Sequence, residues 1–298
     1  IHFREAFHDR SGYTLSLTNT ADPRKYQYFP RFDWPRISNP KLHFPITDEV
    51  LALEIAAERA ALDEIKQALI ERRDDIAGLI IEPIQGEGGD NHFRPEFFVE
   101  LRRLADENDF LFIVDEVQTG MGATGTMWAI EQMGVQPDII AFGKKSQVCG
   151  IIVGPRIDEV PDNVFKVSSR INSTWGGNLV DMVRSQRYLE IMAAENLVDN
   201  AGAMGRLLLD GLNGLAQGSD LVSNVRGRGM LLAFDLPATR ARDIFRGLLL
   251  ENGLVALKSG ERSIRFRPML DLDSATVEDA LAIVEKSLFD ARADGGRL

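Results

Sequence analysis

The chain is 298 residues long, with 34 Lys plus Arg against 45 Asp plus Glu and a formal net charge of −11. Hydrophobic residues make up 44% and charged residues 27%, which suits a globular protein of one large domain or two ordinary ones. The acidic excess excludes the basic footprint of a nucleic-acid binder, no apolar run approaches the ~20 residues of a membrane helix, and the lone Cys149 excludes an internal disulfide framework and suits a reducing, cytoplasmic compartment.

In chain order, the opening Ile1-His2-Phe3-Arg4-Glu5 has neither an initiator Met nor the charged and apolar regions of a signal peptide, and reads as a chain entered midway. Residues 1–48 hold Pro23, Pro30, Pro35, Pro40 and Pro45 among aromatics, which predicts an ordered, winding surface segment. Apolar residues at helical spacing in an Ala-, Leu-, Glu- and Arg-rich run predict a helix over 49–72. The continuous apolar run 76–84 reads as a buried parallel strand, 95–107 as a helix, and 109–117 as a second strand. A helix over 128–133 leads to a third strand at 137–143. Strands alternating with helices at this spacing imply an α/β fold with a parallel sheet. Residues 178–217 form a long, interrupted helical stretch, followed by a change of pattern over 221–237, a helix over 238–252, two short strands and a helix over 275–291. The expected division is a large domain at 1–200 and a smaller α+β domain at 201–298.

Ligands of a parallel α/β sheet bind beyond the carboxyl ends of its strands. There the first strand delivers Glu82-Pro83-Ile84-Gln85-Gly86-Glu87-Gly88-Gly89, the second Asp115-Glu116-Val117-Gln118, and the third Gly143-Lys144-Lys145. A carboxylate, an amide and an amine converging on one partly buried edge suggest a lysine of lowered pKa able to form a Schiff base. Taken singly, each piece has another reading: Asp115 as a helix N-cap, Lys144 as a solvated surface lysine, the glycines as a turn. The ordered combination, with Asp115 29 residues before Lys144, favours chemistry. His2, His8, His43 and His92 show no metal-ligand spacing, so no metal is expected, and Cys149 reads as a small core residue.

The segments FHDRSGYTLSLTNT (7–20), EPIQGEGGDNHFRPEFF (82–98), DEVQTGMGATGTMWA (115–129), FGKKSQVCG (142–150), NSTWGGN (172–178) and IRFRP (264–268) together resemble the class III aminotransferases, fold-type I enzymes that use pyridoxal 5′-phosphate. Within that class the motifs look most like those of the lysine 6-aminotransferases, with 4-aminobutyrate aminotransferases more distant. The resemblance implies a mainly parallel large domain, a smaller C-terminal domain and a homodimer with shared active sites. It makes Lys144, which follows a small residue, the Schiff-base lysine and proton shuttle, and leaves Lys145 unassigned. Asp115 would pair with the pyridine nitrogen and keep it protonated, and Gln118 would bond the ring's 3′-oxygen. Val117 would pack beneath the ring and Phe7 on its other face. Thr174, with Ser173 and Asn172 close by, would reach the phosphate of the neighbouring subunit. The rest of the phosphate site, a Gly/Ser/Thr loop at a helix N-terminus, would lie upstream of Ile1.

The implied reaction moves the ε-amino group of L-lysine to 2-oxoglutarate in ping-pong fashion, giving 2-aminoadipate 6-semialdehyde, which cyclises to a piperideine carboxylate, and L-glutamate. The two substrates present carboxylates at different distances from the reacting carbon, a problem two arginines can solve, because a bidentate fork grips a carboxylate strongly. By resemblance, Arg10 takes the distal carboxylate in both half-reactions and Arg265 the α-carboxylate of glutamate or 2-oxoglutarate. Glu87 then pairs with Arg265 when lysine is bound and swings away for the keto acid. The rival readings are a 4-aminobutyrate, ornithine or diamine donor, a racemase or epimerase on the same fold, and an inactive paralogue. One departure from the family pattern stands out: Asp9 replaces the Gly of the usual FHGR. If that position needs positive φ, Asp tolerates it better than most residues, though its charge adjoins Arg10.

Overall fold

Residues 1–293, apart from Ala21 and Asn172, are described by the computed structural model. The 1–48 segment is irregular, as its prolines require, and carries only β1 (His2–Phe3), the short helix α1 (Thr14–Leu17), a 3₁₀ turn at Pro23–Lys25 and β2 (Arg36–Ile37), which pairs parallel with β1. The expectation of a surface course is corrected: Phe3, Ala6, His8 and Leu15 are buried, and Ile1 exchanges backbone hydrogen bonds with Gly78 and Ile80. Apolar side chains in this stretch find cover against the edge of the central sheet. Helix α2 (Asp48–Glu71) opens at Thr47, whose hydroxyl accepts from Val50 N at 3.3 Å, with Asp48 and Glu49 in the first turn, where the helix dipole favours acids.

Strand β3 (Gly78–Ile81) is shorter than the apolar run that predicts it. Pro83 has no N–H to give a ladder, and the chain turns into β4 (Ile84–Gln85), which pairs antiparallel with β5 (Asn91–His92). Helix α3 (Pro95–Glu107) starts on its proline and buries Phe97, Phe98, Leu101, Leu104 and Ala105. Each such buried Phe contributes on the order of 2–3 kcal/mol. Strands β6 (Leu111–Asp115) and β7 (Ile139–Phe142) continue the sheet parallel to β3, with Leu79 opposite Phe112 and Ile113 opposite Ile139. Between them the expected 128–133 helix is a single 3₁₀ turn, Ala129–Met133. Strand β8 (Gly150–Val153), which the sequence does not announce, adds to β7 antiparallel and closes the order β3-β6-β7-β8.

The helical stretch that follows is broken, as expected, at Asn196, whose φ of 52° separates α4 (Leu179–Ala194) from α5 (Leu197–Gln217). The pattern change after Gly218 is a hairpin, β9 (Ser223–Arg228) and β10 (Leu231–Asp235). Helix α6 (Thr239–Glu251), β11 (Leu257–Ser259), β12 (Ser263–Phe266) and α7 (Ser274–Ala293) complete an antiparallel sheet of order β11-β12-β10-β9 and the helices packed on it. Two apolar clusters result. One gathers Leu79, Phe97, Phe98 and Phe112, the other Leu212, Phe234, Phe245 and Val284.

Candidate active site

Because β3, β6 and β7 run parallel, their carboxyl ends bring Glu82, Asp115 and Gly143-Lys144 to one edge of the sheet. Asp115, the last residue of β6, is buried, and its Oδ1 accepts from Val117 N at 3.0 Å. Its Oδ2 lies 2.8 Å from His8 Nδ1. A carboxylate only accepts, so the imidazole donates. His8 is itself fixed by its backbone N–H to Thr18 Oγ1 at 3.0 Å. Burial works against a charged imidazole there, but the hydrogen bond and charge of Asp115, with Glu82 behind it, raise the His8 pKa. Glu82 accepts from Phe7 N at 2.9 Å and from Gly86 N at 3.0 Å. Burial pushes its carboxyl up to about 7, against the pull of His8 and with the repulsion of Asp115.

Lys144 opens a 3₁₀ turn with φ 53° and is exposed. Desolvation and the charge of Arg267 lower its pKa, with Asp115 and Glu82 opposing. Lys145 is placed differently. Its Nζ donates to the Gln118 carbonyl at 3.2 Å, and burial, Arg267 and Lys144 bring its pKa down to about 8. Lys144 thus feels the carboxylates of the site, while Lys145 ties its turn to the loop after β6. Gln118 is buried against Gly86, where a Cβ would collide with its Oε1 and stand 2.9 Å from Arg267 Nη2. Val117 Cγ1 is 3.6 Å from where a Cβ on Gly143 would stand, and Phe7 is half-buried beside Glu82.

The expected pair of Arg265 with Glu87 is not made. Arg265, buried on β12, has its Nε 3.7 Å from Asp90 Oδ2, and Arg267 Nη2 lies 3.3 Å from Asp90 Oδ1. Asp90 is buried at the end of the 86–89 turn, so it reaches β12 where the half-buried Glu87 does not. Among the described residues the Glu87 carboxylate has no ion pair; Glu87 lines a polar cavity of about 510 Å³ between the 5–43 segment and the antiparallel sheet. Arg10 is exposed and likewise without an ion pair among the described residues. Asp9 does occupy the left-handed region, at φ 79°, and its carboxylate accepts from Ser11 Oγ at 3.0 Å.

Ser173 and Thr174 sit in an exposed loop, where their hydroxyls bond neither Lys144 nor Asp115 of the same chain; Asn172 lies outside the described residues. The expectation that Cys149 belongs to the core is corrected: it is exposed, on the loop entering edge strand β8. No cluster among the described residues is suited to a metal ion. Sequence reasoning missed His8 and Asp90. The signal for His8 was its place between Phe7 and Arg10, and for Asp90 its place directly after the glycine turn.

A mainly parallel sheet ending on a buried Asp and a lysine turn, followed along the chain by a second, antiparallel four-stranded sheet, is the architecture of the fold-type I transferases. The chain belongs to the class-III aminotransferase family, whose model matches residues 1–288. It is 50% identical to the L-lysine-epsilon aminotransferase of Streptomyces clavuligerus over 290 residues, 97% of this chain and 63% of that protein. The 4-aminobutyrate aminotransferase of Dictyostelium discoideum is 37% identical over 273 residues, 91% of this chain and 54% of that protein. Among solved structures, the lysine aminotransferase of M. tuberculosis in its internal aldimine form matches with a TM-score of 0.93 and 50% identity, covering 97% of this chain and 66% of that one. The chain therefore spans about 63% of the length of the first of these relatives.

Proposed function

We propose that this chain is the greater part of a pyridoxal 5′-phosphate-dependent lysine 6-aminotransferase. It would transfer the ε-amino group of L-lysine to 2-oxoglutarate and release 2-aminoadipate 6-semialdehyde and L-glutamate. The observation that carries this reading is the 50% identity to an L-lysine-epsilon aminotransferase over 97% of the chain, against 37% for the 4-aminobutyrate relative.

The residues present suit the cofactor. Asp115 is buried and oriented by His8 on one oxygen, and a carboxylate has acceptor capacity left for a protonated ring nitrogen. When bound, the cofactor supplies an electron-accepting ring that spreads the charge developing at the substrate carbon. Asp115 would hold the proton on the ring nitrogen, and His8 keeps that carboxylate in one orientation. Gln118 would bond the 3′-oxygen, and Val117 and Phe7 would lie on either side of the ring. Lys144, its pKa lowered, has more neutral amine at neutral pH with which to take and return the proton at the substrate carbon. Arg10 holds the far carboxylate of either substrate and Arg265 the α-carboxylate of the keto acid, with the unpaired Glu87 as a mobile carboxylate between half-reactions.

Thr174, with Ser173 beside it in sequence, would complete the phosphate site of a partner subunit in a homodimer, and Asn172 would serve substrate binding. The exposed apolar side chains of Trp175, Leu179, Val180 and Val183 support such a partner. The two apolar clusters support a division near residue 200, with α5 leading into the second. No helix among the described residues is long and apolar enough to cross a membrane. The single Cys149 suits a reducing compartment, and on that ground we place the enzyme in the cytoplasm. The test is the visible absorbance of the full-length protein with pyridoxal 5′-phosphate. A band that bleaches with L-lysine, returns with 2-oxoglutarate and is missing from Lys144→Ala is the expected result. Bleaching by another amine but not by lysine would overturn the donor, and no band at all would overturn the cofactor.

A further inference from the structure

Asp90 is 1% exposed, yet its carboxylate faces two guanidinium groups. Its own backbone is tied down on both sides: its N–H donates to Gly86 O at 3.2 Å and its carbonyl accepts from Arg226 Nε at 2.9 Å. Arg226 is already balanced by Asp235 at 2.9 Å, so Arg265 and Arg267 share the single carboxylate of Asp90. The match is incomplete. Arg265 Nε and Nη1, Arg267 Nε and Asp90 Oδ2 are all buried without a hydrogen-bond partner. Buried donors left in that state are costly unless an acceptor arrives. The Arg267 charge also reaches Lys144 and Lys145, so the group belongs to the reacting edge of the sheet.

The two half-reactions make opposite demands on this group. A keto acid brings a carboxylate that neutralises the surplus charge. Lysine, entering by its side-chain amine with its own carboxylate at Arg10, brings a cation toward two arginines. We propose that Asp90 is a positioning residue: a fixed counter-ion that holds Arg265 and Arg267 side by side at a net charge of one, so that one site admits both a cationic amine and a dicarboxylate. This rests on the proposed aminotransferase reading and adds to it the element that sets its dual substrate class. Glu87 does not supply that balance where it stands, since it pairs with neither arginine.

The experiment uses the full-length protein and measures each half-reaction separately. Asp90→Asn keeps the size and an acceptor oxygen but adds one unit of net positive charge. It is expected to raise the lysine KM about tenfold and to move the 2-oxoglutarate KM the other way. Arg267→Gln removes one unit and is expected to invert the pattern, raising the 2-oxoglutarate KM about tenfold. The double variant restores the balance and is expected to return the lysine KM to within about threefold of the parent. Calorimetric titration of the cofactor-free protein with glutarate, a dicarboxylate that cannot react, is expected to show weaker binding in Arg267→Gln and no weakening in Asp90→Asn. If glutarate behaves so while lysine is not consumed, the donor assignment fails and the charge balance stands. Parallel losses in both half-reactions for both variants, no change in either, or glutarate binding weakened in Asp90→Asn would overturn the proposal. Should Asp90→Asn not fold, the KM pattern and glutarate affinity of Arg267→Gln decide.

Discussion

The chemistry at the residue scale turns on how Asp115 is held. Its buried Oδ2 depends on His8, which lies 107 residues earlier in the chain. A hydrogen bond to a charged group is worth about 1.5–3 kcal/mol. If that bond orients Asp115 for the ring nitrogen, His8→Ala should weaken retention of pyridoxal 5′-phosphate roughly tenfold to a hundredfold, read by absorbance titration. Unchanged retention would mean that the Val117 N–H suffices. The same residue carries a pH signature. Its folded pKa lies above the unfolded one, so its contribution to stability is fully present below about 6.5 and is lost as pH rises through the folded value. The distances involved also explain what the sequence could disclose. The placement of Asp115, Gln118 and Lys144 was legible because each stands at or just beyond a strand end, where a parallel sheet puts its ligands. His8 and Asp90 were not, because their partners lie 107 and 177 residues away in sequence and only the folded packing joins them.

Elements repeat the lesson in two helices. Helix α5 carries both Gly205 and Gly214. A Cβ on Gly205 would collide with the backbone of Gly229, itself at φ 54° in the turn between β9 and β10, whereas Gly214 has nothing within 4 Å. Gly205→Ala should therefore cost about 1–3 kcal/mol or more, because backbone cannot step aside, and Gly214→Ala should gain about 0.5–1 kcal/mol. Thermal unfolding of the pair is the check; equal effects would mean that α5 does not rest on that turn. Helix α2 makes a different prediction. Glu58 is buried 3.5 Å from Arg94, and burial lifts its pKa from 4.5 to about 7 despite that arginine. A raised carboxyl binds its proton more tightly folded than unfolded, so its contribution to stability is full below about 4.5 and is lost as pH rises from there to about 7. The melting-temperature advantage of the parent over Glu58→Gln should shrink by several degrees between pH 5 and pH 8; a constant difference would show an ordinary carboxyl. Periodicity disclosed α2 and α3 to within a residue or so, because their buried faces repeat at helical spacing. It could not disclose β8, which pairs on one edge only and leaves Ile151 and Ile152 exposed, so no alternation marks it.

At the scale of the whole molecule, α4 presents Leu179 at 80%, Val180 at 72% and Val183 at 67% exposure, with Trp175 at 79% just before it. Exposed apolar side chains grouped in this way suit the proposed partner interface. It adjoins Ser173 and Thr174, which the chain does not bring to its own Lys144. A two-fold dimer placing each Thr174 loop at the partner's site accounts for both facts, since the same patch then serves as interface and as site wall. Of two predictions drawn from this, the second separates it from an interface without catalytic meaning. Val183→Asp should weaken association of the full-length protein by at least about tenfold in sedimentation, because a charge would be buried against apolar surface. Complementation is the sharper one. Lys144→Ala and Thr174→Ala subunits, each impaired alone, should regain activity when unfolded and refolded together. In a mixed dimer one site then has Lys144 from one subunit and Thr174 from the other. Random pairing makes half the dimers mixed, each with one intact site, so recovery should approach about a quarter of the parent activity. If Thr174 served its own subunit, the mixed dimer's Lys144 would always stand beside the missing threonine, and refolding would restore nothing beyond the average of the two parents.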